Sequence, residues 1–230
     1  CLSNIYIYRK GLTMPDTTFK REKKTDKPVI ALCYDFDKTL SPDDMQAQGY
    51  IQTVQPEGSD VIGDFWKESN SRAAANNMDK NLAYMYTMKK KARGQIVFTK
   101  EKLADYGSKV ALFHGVKDWF KRIRDYGAER DIIIEHYIIS SGLKEMIEGT
   151  SIAREFKELY ATSFYFDEDG VAVWPAQVVN YTNKTQFLFR ISKGVLDVND
   201  DAVNDSFPPD EIRVPFRNMV YLGDSDTDIP

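Results

Sequence analysis

The sequence predicts an α/β protein, a doubly wound parallel sheet with a smaller helical domain inserted near its start. Three observations predict it. Apolar runs of strand length, at 29–35, 132–139, 160–166 and 219–222, alternate with helical periodicity, as in strand–helix–strand units joined by right-handed crossovers. The first run, Val29-Ile30-Ala31-Leu32-Cys33-Tyr34, is apolar at every position, as a strand covered on both faces must be. Residues 41–113 hold no run of this kind and read as a helical insertion that returns to the core near Gly115.

The elements follow in order. Residues 1–28 are expected to form a poorly ordered polar tail, with Lys20-Arg21-Glu22-Lys23-Lys24 solvated. Met14 reads as a plausible start, with residues 1–13 upstream of it. After the first strand, 71–93 reads as one long helix, with Leu82, Met85, Tyr86 and Met88 near one face and Gly94 as its stop. Thr99 is placed to cap a helix running to about 113. Residues 116–126 form an amphipathic helix with Trp119, Phe120 and Ile123 inward, and 142–156 is mainly helical. Asp167-Glu168-Asp169-Gly170 turns the third strand into a hairpin. Residues 184–193 form a helix with Phe187, Leu188 and Ile191 inward, and 197–215 is an acidic connection. The last strand ends in Gly223-Asp224-Ser225-Asp226-Thr227-Asp228. A helix would follow a strand of this type, so a chain ending at Pro230 reads as truncated. The expected division is a core of 29–40 and 114–230 with a helical cap of 41–113.

Bulk properties narrow the function. A formal charge of −4 over 230 residues gives no basic footprint for nucleic acid or an anionic membrane. No stretch is long and apolar enough to span a bilayer, and 1–14 lack the apolar segment of a signal peptide. Two cysteines make no disulfide framework, so a reducing, cytoplasmic setting is expected. His114 and His136 have no metal-ligand spacing and read as structural. Asn70, Arg72, Asn76 and Asn77 read as a solvated helix face, and Tyr84, Met85, Tyr86 and Met88 as the core of the cap.

The chemistry lies at the strand ends. Asp35-Phe36-Asp37-Lys38-Thr39-Leu40 puts two carboxylates at the carboxyl end of the first strand, where open α/β sheets bind ligands. Ser140 and Ser141 end the second core strand; Asp224 and Asp228 follow the last. The topology brings all three ends to one edge. A phosphate monoester repels nucleophiles, so its site needs positive charge, in-line geometry, a nucleophile and a proton donor. Asp35 can attack phosphorus, and Asp37 can protonate the leaving oxygen and then activate water. Asp224 can join Asp35 in holding Mg²⁺. Ser140 can donate to a phosphate oxygen, and Lys184 adds a fixed charge.

These segments resemble the four motifs of the haloacid dehalogenase-like (HAD) hydrolase superfamily: Asp35-Phe36-Asp37-Lys38-Thr39, Ile139-Ser140-Ser141-Gly142, Lys184, and Gly223-Asp224 through Asp228. The likeness covers about 29 to 228, and the capped arrangement is similar to phosphoserine phosphatases. It implies a Rossmann-like core with Asp35 as nucleophile of an aspartyl-phosphate mechanism and Asp37 as acid/base. Mg²⁺ ligation falls to Asp35, Asp37 through its backbone carbonyl, and Asp224, with Asp228 supporting. Thr39, Ser140 and Lys184 would bind phosphate, and Thr39 would also brace the nucleophile loop. The second aspartate implies phosphoryl transfer, since dehalogenases lack it. Lys38-Thr39 runs into Leu40-Ser41, unlike the Lys-Thr-Gly-Thr of P-type ATPases. The expectation is a Mg²⁺-dependent phosphatase of a small phosphorylated metabolite. A phosphotransferase or mutase, and a non-enzymatic Mg²⁺- or phosphate-binding module, stand as alternatives.

Overall fold

The computed structural model describes residues 19–55 and 57–224. Asp226 and Asp228 lie outside the described residues, as do 1–18. In chain order the elements are β1 (Val29–Tyr34), α1 (Tyr50–Val54), α2 (Val61–Ala75), α3 (Lys80–Ala92), α4 (Lys100–Ser108), α5 (Val116–Ala128), β2 (Ile133–Leu143), α6 (Lys144–Gly149), β3 (Glu158–Phe166), β4 (Ala172–Gln177), α7 (Lys184–Lys193) and β5 (Met219–Leu222).

The five strands lie in the order β4-β3-β2-β1-β5. All neighbours are parallel except β3 and β4, the expected hairpin. Strand order reverses at β1: β2 and β3 lie on one side, β5 on the other. That makes the carboxyl end of β1 the topological switch point of the sheet. Alternation along β1 serves both faces, as its uniform apolarity predicts. Leu32 and Tyr34 enter the core beneath α1 to α6, while Ala31 and Cys33 meet Phe187 and Ile191 of α7.

Several elements differ from the sequence reading, each for a local reason. The helix expected over 71–93 is two helices. Asn77 adopts a left-handed φ of 49°, and Asp79 then accepts from the Asn81 and Leu82 amides to start α3 afresh. Residues 71–75 instead close α2, which begins at an Asp60 cap. Thr99 does cap α4, through the Lys102 amide, but the helix ends at Ser108. β2 continues through a bulge to Leu143, so α-helix covers only 144–149 of the segment expected to be helical, with a 3-10 turn at Ala153–Glu155. The basic run is not free in solvent. Arg21 donates to the Lys193 and Glu211 carbonyls, and the Glu22 amide donates to Gly194. Glu22 also pairs with Lys157 and with the buried Arg213, cations that attract the one acid in that run.

Close packing ties α4 to α6. A Cβ on Gly107 of α4 would sit 1.8 Å from the Met146 carbonyl oxygen of α6, so only glycine admits this helix contact.

Candidate active site

The loop after β1 is built on Phe36. Its buried ring anchors the turn, and its carbonyl accepts from the amides of Thr39, Leu40 and Ser41 at 3.3, 2.9 and 3.1 Å. Lys38 takes a left-handed conformation (φ 58°) to complete that turn. The Asp35 amide still donates to Leu222 of β5 at 2.9 Å, so the first carboxylate stays registered on the sheet. Asp35 Oδ1 accepts from the Phe36 amide at 2.7 Å, and Oδ2 accepts from Lys184 Nζ at 3.0 Å. Lys184 is buried although charged, and it is the first residue of α7.

Asp37 is half-buried, and its Oδ1 accepts from the Met45 amide at 2.8 Å. Burial pushes its carboxyl well above the ordinary range, against the Met45 hydrogen bond, and the charges of Asp44 and Asp35 add to the rise. Lys38 pairs with Asp44 at 3.2 Å; that charge first, then Asp43 and Asp224, raises its ammonium. Asp224 lies exposed just past β5.

The second strand end meets the first. Ser140 is buried, and its Oγ accepts from the Gly142 amide at 3.1 Å. A Cβ on Gly142 would lie 3.1 Å from Asp37 Oδ2 and 2.3 Å from Met45 Cε, so this glycine lets the two loops touch. Thr39 Oγ1 is buried and has no hydrogen-bond partner among the described residues. The structure thus gathers Asp35, Asp37, Thr39, Ser140 and Lys184 around the end of β1. Asp224 follows the neighbouring strand, and Asp228 is not described.

Sequence reasoning missed the groups that hold this arrangement. Tyr84, read as cap core, is buried, but its hydroxyl donates to the Ser141 carbonyl at 2.8 Å. The Lys38–Asp44 pair and the Asn180–Asn183 loop ahead of Lys184 went unread. The signal in the second was legible: two asparagines three apart before a helix suit the side-chain-to-backbone bonds that start one.

Oxygen donors are the right type for a hard divalent ion. Asp35 and Asp224 supply two carboxylates, and Mg²⁺ commonly takes one or two while keeping several waters. Among the described residues no three acidic, histidine or cysteine side chains form a closed cage, which an ion that keeps its waters does not require.

Comparison with known proteins gives the fold. The chain superposes on a HAD family hydrolase of Salmonella enterica serovar Typhi with a TM-score of 0.55 and 16% identity, over 90% of this chain and 61% of that one. A probable phosphoserine phosphatase of Vibrio cholerae matches with a TM-score of 0.54 and 13% identity, over 88% and 52%. The chain therefore spans about three-fifths and half of these two structures, and it has the HAD-like fold. An uncharacterized protein of Borreliella burgdorferi is 27% identical over 88% of this chain and 76% of its own length. No family model matches.

Proposed function

We propose that this HAD-like fold carries a Mg²⁺-dependent phosphatase acting on a small phosphorylated metabolite through an aspartyl-phosphate on Asp35. The observation that carries the reading is the buried Lys184 ammonium 3.0 Å from Asp35, with Asp37 on the adjoining turn. A structural ion pair would not need a second carboxylic acid with a raised affinity for its proton.

Asp35 attacks phosphorus as the bond to the leaving oxygen breaks, and Asp37 gives that oxygen its proton. The Asp37 carboxylate then takes a proton from water, which attacks the phosphoaspartate, releases inorganic phosphate and restores Asp35. Lys184 neutralises phosphate charge throughout, while the Ser140 and Thr39 hydroxyls donate to its oxygens. The unpartnered Thr39 Oγ1 fits that need for an acceptor. Mg²⁺, held by Asp35, the Asp37 carbonyl and Asp224 with Asp228 in support, would further neutralise the transferring group. Residues 41–113 act as the cap over a core of 29–40 and 114–230. The two-cysteine sequence suits a cytoplasmic setting, and no helix among the described residues is long and apolar enough to cross a membrane.

The test is hydrolysis of a panel of phosphorylated metabolites by the purified protein, with and without Mg²⁺, beside Asp35→Asn. Metal-dependent turnover that the substitution abolishes is expected. Turnover that survives Asp35→Asn would rule out the phosphoaspartate.

A further inference from the structure

Helix α3 touches both chain segments that carry the anion-binding side chains. At its start, Asp79 spends Oδ1 on the helix cap and uses Oδ2 to accept from Asn180 Nδ2 at 2.9 Å. Asn81 Nδ2 donates to the Val179 carbonyl at 2.6 Å. One turn later Tyr84 holds the Ser141 carbonyl.

Asn180 is the junction. Its amide donates to Asn183 Oδ1 at 2.8 Å, its Oδ1 accepts from the Thr182 amide at 2.9 Å, and its carbonyl accepts from the Asn183 and Lys184 amides at 3.1 and 3.2 Å. Those bonds set where α7 begins, and Lys184 is its first residue. Packing of α7 on the sheet does not require them, because Phe187 and Ile191 are already buried there. What the junction adds is position. For a group that must meet a reacting phosphate, a displacement of about 1 Å can cost about 10²-fold in rate.

We propose that Asp79 and Asn180 form a strut through which α3 seats Lys184 against Asp35, so that Asn180 is a positioning residue and cap placement sets the charge in the site. The significance for catalysis rests on the phosphatase reading; the strut itself does not. Two measurements separate them. Acetylation of Lys184 by acetic anhydride, read by mass spectrometry against the exposed Lys117, reports how readily the amine is released from its partner and reached by reagent. Hydrolysis of p-nitrophenyl phosphate with Mg²⁺ reports its use.

Asn180→Ala should raise Lys184 labelling about tenfold, the factor that loss of one charge-assisted hydrogen bond allows. It should lower kcat about 10- to 100-fold, with a smaller change in KM. The exchange Asp79→Asn with Asn180→Asp keeps one donor and one acceptor and should restore both readings. Unchanged Lys184 labelling in a folded Asn180→Ala protein would overturn the strut. If Asn180→Ala does not fold, Asn180→Asp alone decides, since it sets a carboxylate against Asp79: raised labelling supports the strut, and wild-type labelling in a folded protein refutes it. Should the wild type hydrolyse nothing, the labelling still settles the strut, and only the phosphatase reading falls.

Discussion

His136 and Glu145 should oppose one another in the pH dependence of stability. His136 is buried on β2, where its Nδ1 meets the Tyr34 hydroxyl at 3.0 Å. Burial, helped by the Arg124 charge, lowers it from 6.5 to about 4. Glu145 is buried at the start of α6; its Oε1 accepts from the Phe164 amide, and its Oε2 has no partner among the described residues. Burial raises it from 4.5 to about 7. The histidine contribution is complete above pH 6.5 and is lost as pH falls towards 4, because the unfolded chain takes up the proton first. The glutamic acid contribution is complete below pH 4.5 and is lost as pH rises through 7. Each span converts to roughly 3 kcal/mol at most. Between pH 4.5 and 6.5 the two nearly cancel, so the wild type should show little slope from this pair.

Urea unfolding from pH 4.5 to 7.5 exposes each member. His136→Asn keeps an acceptor for Tyr34, and Glu145→Gln keeps one for Phe164. The stability of Glu145→Gln relative to wild type should climb by roughly 2 to 3 kcal/mol across the window. That of His136→Asn should fall by a similar amount. Taking differences removes the other titrating groups. A pH-independent difference for either variant would refute the linkage argument for that residue.

Three further outcomes follow from packing and charge. Gly107→Ala drives a methyl into the Met146 carbonyl and should lower stability by about 2 kcal/mol or more, read from the urea midpoint; an unshifted midpoint would contradict the α4–α6 contact. Arg213→Met removes both guanidinium bonds to Glu135, a carboxylate that burial would raise but that Arg213, Lys157 and Tyr137 hold down at about 2. The cost should be roughly 3 kcal/mol in thermal or urea unfolding, and a loss below about 1 kcal/mol would show the network to be dispensable. Gly142→Ala should displace Asp37 while Met45 moves aside, lowering kcat about tenfold with little loss of stability; full turnover would mean that the loops do not constrain the acid.

How much was legible can be traced residue by residue. Local chemistry named β1, β5 and the helix that begins at Lys184, because uniform apolarity, strand length and a 3.6-residue stripe are written in neighbouring positions. It also placed two carboxylates and a serine at strand ends, and the order of strands and helices carried the doubly wound sheet. Local chemistry failed where competition was close. Residues 71–93 hold a helical pattern throughout, yet the left-handed Asn77 and the Asp79 cap divide it, which becomes favourable once α2 and α3 can fold back on one another. The bulge that extends β2 to Leu143 depends on pairing with β3.

The sequence by itself determined which carboxylates and which serine stand at the strand ends, and that a lysine opens the helix at 184. Only the tertiary structure decided that Lys184 meets Asp35 across 149 positions, that Gly142 lies against Asp37, and that α3 grips the loop ahead of Lys184. Periodicity and motif spacing record what a residue does within its own element. Contacts between elements depend on the register and packing of the whole sheet, which no local pattern encodes.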